Sequence, residues 1–217
     1  MSANRLSVRR LFAVILSGVT LIPGMTNAQT FPSRIVRYVV PDTPGSGGDV
    51  MGRIIANAMT ESFSQQVIVD NRAGASSNLG AEFVARAPAD GYTMLAVSTT
   101  LSANASLYKN PGYDLGRGFA PVTQLALTPH VLIVHPSLPV KTVAELGVPG
   151  IDFSKSLGLM VPAKTSPENI AILHRTAVTA LKKPEVAKRI NELGAIVVAS
   201  SPAEYGAFVT KEMVNFG

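Results

Sequence analysis

The most regular feature of the sequence is an alternation of strand-like and helical apolar patterns that begins at Arg34. Runs rich in β-branched residues predict strands at 35–40, 66–70 and 93–97, and apolar residues at helical spacing predict helices at 50–63 and 79–87. Strand and helix alternating at this spacing predict a parallel sheet flanked by helices, which is an α/β fold.

The second half of the chain continues with further apolar segments and ends in helices. The segments 121–127 and 130–135 have an extended pattern, and we expect them to carry the chain away from the first sheet. After the breaker cluster at 147–150, the pattern predicts strands at 157–161 and 195–199 and helices at 166–181, 184–193 and 202–214. Ser166 and Ser201 stand where N-caps belong. Met51 and Met59 have the spacing of core residues, which we favour over a methionine-lined ligand surface.

The N-terminus has the three-part layout of a secretory signal peptide. Arg5, Arg9 and Arg10 precede the apolar run 11–22, and small or polar residues follow as far as Ala28. An apolar run of this length is shorter than the ~20 residues that span a bilayer, so a membrane anchor is disfavoured. We therefore predict a signal peptide at 1–28, cleavage after Ala28 and a periplasmic mature chain; the Sec and twin-arginine routes both stay open.

Composition removes several classes of function. Cleavage after Ala28 would remove three arginines and no acidic residue, which lowers the formal charge from +5 to +2. No basic block interleaved with aromatic residues remains, so nucleic-acid binding has no support. The absence of cysteine excludes disulfides, thiolate metal sites and a cysteine nucleophile. We predict no metal and no cofactor.

A glycine-rich loop at 44–49 carries the most informative chemistry, because it connects a predicted strand to a predicted helix. Unpaired amides and partial positive charge at a helix N-terminus suit a carboxylate or phosphate. The loop lacks a Walker lysine and a complete dinucleotide spacing, and a tight turn without a ligand is an equal alternative. For Asp49 we favour a capping role of the side chain. Two donor-rich segments, 71–78 and 98–104, follow the next two strands and should reach the same edge of the sheet.

Several motifs in the same order resemble those of the Bug family, the tripartite tricarboxylate transporter receptor family. They are Ile35-Val36-Arg37-Tyr38-Val39-Val40-Pro41, Pro44-Gly45-Ser46-Gly47-Gly48-Asp49, Val69-Asp70-Asn71-Arg72-Ala73-Gly74-Ala75, Asn78-Leu79-Gly80-Ala81-Glu82, Ala87-Pro88-Ala89-Asp90-Gly91-Tyr92-Thr93, Tyr113-Asp114, Phe119-Ala120-Pro121-Val122, Val134-His135-Pro136-Ser137-Leu138-Pro139, Pro184-Glu185-Val186 and Leu193-Gly194-Ala195.

The resemblance implies a two-lobed periplasmic receptor without catalytic activity that closes around a small carboxylated solute and presents it to the membrane components of a transporter. Carried over by motif, the ligand contacts of the first lobe are Pro44, Gly45, Ser46, Gly47, Gly48, Asp49, Asn78, Ser98, Thr99, Thr100 and Asn104. The resemblance does not name the carboxylate.

This sequence departs from the family between Leu146 and Gly147, where two segments that flank the second lobe are fused. We therefore expect one domain at 29–217, with a first lobe at 31–125 and 151–217 and a remnant crossover at 126–150. A single jaw would leave the ligand exposed to water and weaken binding. A non-binding remnant is the alternative.

A small exported hydrolase is the rival from another class. It would use Ser46 or Ser98 as nucleophile with His130, His135 or His174 as base, but the sequence has no Gly-x-Ser-x-Gly elbow. We therefore expect a binding protein and not an enzyme.

Overall fold

A computed structural model of the chain describes residues 30–147 and 154–216. The predicted signal peptide at 1–28 lies outside these residues. Within them, no helix is both long enough and apolar enough to cross a membrane.

The first half of the domain has the predicted strand–helix alternation. Its elements are β1 (Val36–Val40), α1 (Gly47–Phe63), β2 (Val67–Asn71), α2 (Asn78–Ala85), β3 (Thr93–Ser98) and α3 (Thr99–Leu107). Strand β1 is central and pairs in parallel with β2 on one side and β3 on the other. The predicted parallel sheet is therefore present in this half.

The second half adds β4 (Phe119–Pro129), a 3-10 turn (Ala144–Leu146), β5 (Ser154–Pro162), α4 (Pro167–Leu181), α5 (Pro184–Glu192), β6 (Ile196–Val197) and α6 (Pro202–Asn215). Strand β5 runs antiparallel to β3, and β4 runs antiparallel to β5 and β6. The strand order is β2-β1-β3-β5-β4-β6, so the sheet is mixed rather than wholly parallel. The α/β class with flanking helices is confirmed.

Strand β4 corrects the expectation that residues 121–127 lead away from the sheet. The strand pairs with β5 from Phe119 opposite Pro162 to Pro129 opposite Ser154, with two irregularities in register. Val122, Leu125 and Ala126 are buried, because helices cover both faces of the sheet here. Residues 126–129, which were expected to begin the crossover, therefore belong to the sheet.

The core has two layers, one on each face of the sheet. Tyr38 and Val40 pack with α1, α4 and α5 on one face, whereas Val39 packs with α2, α3 and α6 on the other. This alternation along β1 is the period of two that a strand imposes. Met51 and Met59 are buried in the first layer, which confirms their core assignment.

Helix α1 lies close to β1 because Gly52 faces the strand. A β-carbon on Gly52 would lie 2.9 Å from Cγ2 of Val40. A β-carbon on Gly48 would overlap the carboxylate of Asp42, so glycine at this position leaves room for a side chain of the loop that joins β1 to α1.

The segment after β4 differs from the prediction. The expected extended run 130–135 forms no strand, and Val131 and Ile133 are 83% and 86% exposed. The connection after this run contains only the short 3-10 turn Ala144–Leu146, and the predicted strand 195–199 is reduced to two residues. Ser166 and Ser201 cap α4 and α6 as predicted.

Candidate functional site

Three helices begin at the carboxyl edge of the parallel strands. Helix α1 follows β1, α2 follows β2 and α3 follows β3, and the three strands point the same way. The segments 44–49, 71–78 and 98–104 therefore share one edge of the sheet, as predicted. The carboxyl edge of an open α/β sheet is where such folds bind ligands.

Ser46, rather than Asp49, caps the first of these helices. Its hydroxyl oxygen accepts a hydrogen bond from the Asp49 amide at 3.2 Å. Gly45 has a φ of +83°, a conformation that glycine adopts without strain, and this turns the chain into the cap. The expected capping role of Asp49 is thus wrong in its detail, because the hydroxyl three residues earlier already occupies that position.

Asp49 instead holds the loop together from inside. Its carboxylate accepts hydrogen bonds from the Gly45 amide at 2.8 Å, from Asn71 Nδ2 at 2.9 Å and from Arg53 Nε at 3.1 Å. Burial raises the pKa of this carboxyl, but the hydrogen bonds from Arg53, Gly45 and Asn71 outweigh burial and leave the pKa below its ordinary value. The carboxylate of Asp49 therefore stabilises the loop through three donors, and its contact with a ligand stays a prediction.

The amides of Gly47 and Gly48 are the free donors of the first loop. Neither amide has a hydrogen-bond partner among residues 30–147 and 154–216, whereas the Ser46 amide donates to the Thr43 carbonyl. A β-carbon on Gly47 would meet nothing within 4 Å, so its surface is open. The Asp42 carboxylate lies against Gly48, an acidic neighbour that the sequence patterns did not single out.

The second segment is built on three successive residues with left-handed backbone. Ala75, Ser76 and Ser77 have φ of 47°, 54° and 74°, which is uncommon for residues other than glycine. Asn104 Nδ2 donates to the Ser76 carbonyl at 2.7 Å, and the Tyr108 and Ser76 hydroxyls are 3.1 Å apart. These contacts hold the segment where α2 begins.

Asn78 and Asn104 meet in the structure, although 26 residues separate them in sequence. Asn104 Nδ2 donates to Asn78 Oδ1 at 2.8 Å, and the Tyr113 hydroxyl donates to the same oxygen at 2.7 Å. Both asparagines are at most 5% exposed. Burial raises the pKa of Tyr113, the neighbouring Asn104 amide lowers this pKa by less, and the result is a pKa of about 12. The hydroxyl of Tyr113 is therefore a neutral donor at physiological pH.

The third segment is not a loop, because β3 runs directly into α3 at Ser98. Thr99 Oγ1 accepts a hydrogen bond from the Ser156 amide of β5 at 2.8 Å, which ties this helix to the antiparallel half of the sheet. Thr100 is exposed and Ser98 is buried. Ligand contact by these residues stays a prediction.

A groove of about 860 Å³ lies away from this edge and is lined by the outer face of α4, the start of α6 and Ala120–Pro121 of β4. The lining of the groove is mostly apolar, whereas the edge carries the free helix amides, which suit an anion. In the described part of the chain, no group of three or more histidine or acidic residues is placed to hold a metal ion.

Among the described residues, no histidine forms a hydrogen bond with Ser46 or Ser98, the two candidate nucleophiles of a hydrolase. His174 Nε2 lies 3.1 Å from the Ser200 carbonyl, and His135 Nδ1 contacts the hydroxyl of Ser137 at 2.7 Å. The Ser46 hydroxyl is the cap of α1. These contacts leave neither histidine engaged with a candidate nucleophile.

Comparison with known proteins points to one family. Residues 51–146 match the family described as "Tripartite tricarboxylate transporter family receptor". BugT of Bordetella pertussis is 35% identical over 139 residues, covering 61% of this chain and 42% of BugT. Over these residues the chain is similar to this receptor family.

Further curated proteins are similar to part of the chain. The UPF0065 protein in the tcbD-tcbE intergenic region of Pseudomonas sp. strain P51 is 42% identical over 127 residues, which are 55% of this chain and 37% of that protein. The chain spans about two fifths of the length of the curated relatives it matches.

Solved structures of receptor proteins share the fold. The periplasmic binding protein BugD superimposes with a TM-score of 0.76 at 20% identity, covering 86% of this chain and 96% of BugD. MatC from Rhodopseudomonas palustris with bound malate gives a TM-score of 0.74 at 21% identity, covering 86% of this chain and 98% of MatC. An R. palustris protein with adipate gives 0.75 at 23% identity, with coverages of 86% and 96%.

Sequence patterns missed Tyr113, Arg53 and Asp42 as members of this edge. Tyr113 follows α3, and its hydroxyl donates a hydrogen bond to Asn78, which lies 35 residues earlier in the sequence. The sequence analysis included Tyr113 only as part of a family motif, because a single tyrosine in a polar connection has no periodic pattern that would predict a role. Arg53 could have been found from its position four residues after Asp49 on one helix.

Proposed function

We propose that the chain is a periplasmic solute-binding protein that captures small carboxylated organic acids for a tripartite tricarboxylate-type transporter. The convergence of three helix N-termini at one edge of the sheet carries the proposal. The similarity to the receptor family and the malate and adipate bound by two proteins of the same fold support a dicarboxylate as the solute.

Neutral donors supply the chemistry of capture. The amides of Gly47 and Gly48 start α1, and those of Leu79 and Gly80 start α2; none of the four has a partner in the described residues. Helix N-termini carry about half a positive charge, which favours a carboxylate without a basic side chain. The nearby Arg53 is already engaged with Asp49 and Asn71.

We propose further that the site has one jaw and binds weakly. The chain leaves the sheet at Pro129 and re-enters it at Ser154. Residues 130–153 are too few for a second lobe, because domains usually need about 50 residues or more. Without an opposing jaw, water screens the contacts to the carboxylate.

Titration calorimetry of the exported chain with malate, adipate and citrate tests the proposal. We expect binding with a dissociation constant weaker than about 1 μM, which corresponds to less than about 8 kcal/mol. Absence of heat and of any melting-temperature change with all three acids would mean a non-binding remnant. A tighter complex would mean that another segment or a second copy of the chain closes the site.

A further inference from the structure

We propose that Tyr113 and Asn104 are positioning residues that fix the side chain of Asn78 so that its Nδ2 group faces solvent at the carboxyl edge as a ready donor to one carboxylate of the solute. The orientation follows from the unligated structure. The donor role rests on the proposed function.

The orientation of Asn104 is fixed first. Its amide group contacts the Ser76 carbonyl at 2.7 Å and Asn78 at 2.8 Å through the same atom. A backbone carbonyl can only accept, so the contacting atom of Asn104 must be its nitrogen. Rotating this amide by 180° would place two oxygens face to face.

The orientation of Asn78 follows from that of Asn104. The atom of Asn78 that meets the Asn104 nitrogen must be an acceptor, so it is Oδ1, and the Tyr113 hydroxyl donates to the same oxygen at 2.7 Å. An amide oxygen has two lone pairs, and both are then used. The Nδ2 group of Asn78 is consequently turned away from both donors.

Among the residues that the structure describes, the Nδ2 group has no hydrogen-bond partner, but it retains contact with solvent. Asn78 is 5% exposed, and none of its described hydrogen bonds involves Nδ2. Among residues 30–147 and 154–216, two side-chain polar atoms are fully enclosed and lack a hydrogen-bond partner: the hydroxyls of Tyr38 and Tyr205. Asn78 Nδ2 is not one of them. Asn78 Nδ2 is therefore not enclosed, and it stands beside the free amides of Leu79 and Gly80 at the start of α2. A buried side chain held by two donors loses little rotamer freedom when it binds, which favours recognition.

Side-chain amide NMR of the unligated mature chain tests the orientation. We expect the NH2 protons of Asn104 to exchange slowly with water, because both are engaged, and those of Asn78 to exchange faster. The reverse order would overturn the inference. This measurement needs no solute, so its outcome is independent of the proposed function.

Binding of malate and adipate to three variants tests the donor role. Asn78→Asp keeps an oxygen for Tyr113 and Asn104 but replaces the outward NH2 group with a negatively charged oxygen, and we expect affinity to fall more than tenfold. Tyr113→Phe removes one of the two donors, and we expect affinity to fall about fivefold, the effect of one hydrogen bond. Tyr92→Phe is the matched control: Tyr92 precedes β3 at the end opposite the carboxyl edge, and the variant loses the hydroxyl contacts with Ser33 and should bind as the parent does.

Two results would overturn the donor role. Equal affinities of Tyr113→Phe and Tyr92→Phe would show that Tyr113 does not act through Asn78. An Asn78 NH2 resonance that stays unchanged in saturating malate, while the Gly47 amide shifts, would show that the solute binds without Asn78. If no resonance at the edge responds to either acid, the proposed function fails together with the donor role, and the exchange order alone decides the orientation.

Discussion

Gly47 is the residue whose substitution separates binding from folding most cleanly. A β-carbon there meets nothing within 4 Å, so Gly47→Val should leave the free energy of unfolding within about 0.5 kcal/mol of the parent. The branched side chain would cover the free amides of α1, and we expect malate affinity to fall at least tenfold. Calorimetry and thermal unfolding measure the two effects, and Gly47→Ala should be intermediate. Unchanged affinity of the valine variant would move the solute away from this loop.

Asp49 makes the stability of the chain depend on pH. Its pKa is below the ordinary value of about 3.9 in the folded state, so its ionised form stabilises the fold above that pH. This contribution is lost as the pH falls through the lower, folded-state pKa. Asp49→Asn should lose about 1–3 kcal/mol at pH 7, because an amide cannot accept from all three of its donors.

Urea unfolding between pH 7 and pH 3 measures this effect. The difference in midpoint between the parent and Asp49→Asn should shrink toward the acid end. Glu168→Gln is the control, because Glu168 is exposed and has no ion-pair partner in the described structure. A difference that stays constant with pH would contradict the charge argument.

At the scale of elements, the contact between α6 and β5 depends on one glycine. A β-carbon on Gly158 would overlap the ring carbon and hydroxyl of Tyr205, whose side chain is buried. Gly158→Ala should therefore destabilise the fold by about 1–3 kcal/mol through overpacking. Gly116→Ala is the matched control, since its β-carbon would lie 3.5 Å from its nearest neighbours. Denaturant unfolding of Gly158→Ala and Gly116→Ala measures the difference in stability. Equal midpoints would show that α6 can shift away from β5 at little cost in free energy.

The hydroxyl of Tyr205 adds a second prediction for the same contact. It is enclosed and has no hydrogen-bond partner in the described structure, so it bears a desolvation cost without a compensating bond. Tyr205→Phe keeps the ring and removes the hydroxyl. We expect the free energy of unfolding to stay equal or to rise by about 1 kcal/mol. A loss of stability would reveal a bridging water at this hydroxyl.

Local patterns predicted the elements and the parallel direction of β1, β2 and β3, but not the antiparallel direction of β4 and β5. The alternation from β1 to β3 and the caps Ser166 and Ser201 are properties of neighbouring residues, and the sequence contains them. A run such as 121–127 has the same apolar pattern whichever way it pairs, so the antiparallel position of β4 could not be read from it. The contact of Asn104 and Tyr113 with Asn78 depends on how three elements pack, which is why the network escaped prediction.

At the scale of the whole molecule, the N-terminus predicts export. The basic, apolar and small-residue pattern of residues 1–28 predicts removal after Ala28. Mass spectrometry of a periplasmic extract should then find Gln29 as the first residue. Arg9→Lys with Arg10→Lys distinguishes the two export routes, because a twin-arginine signal should fail with lysines while a Sec signal should not. An intact N-terminus in the membrane fraction would contradict the prediction.

The pairing of Pro129 with Ser154 has a consequence for how such a chain can change over time. The chain leaves and re-enters the sheet at adjacent positions on neighbouring antiparallel strands. A segment whose two ends lie side by side can be inserted or deleted without changing the path of the rest of the chain. The six-stranded sheet can therefore exchange a whole module between these two residues in one genetic step, and the order and direction of its own strands would stay the same.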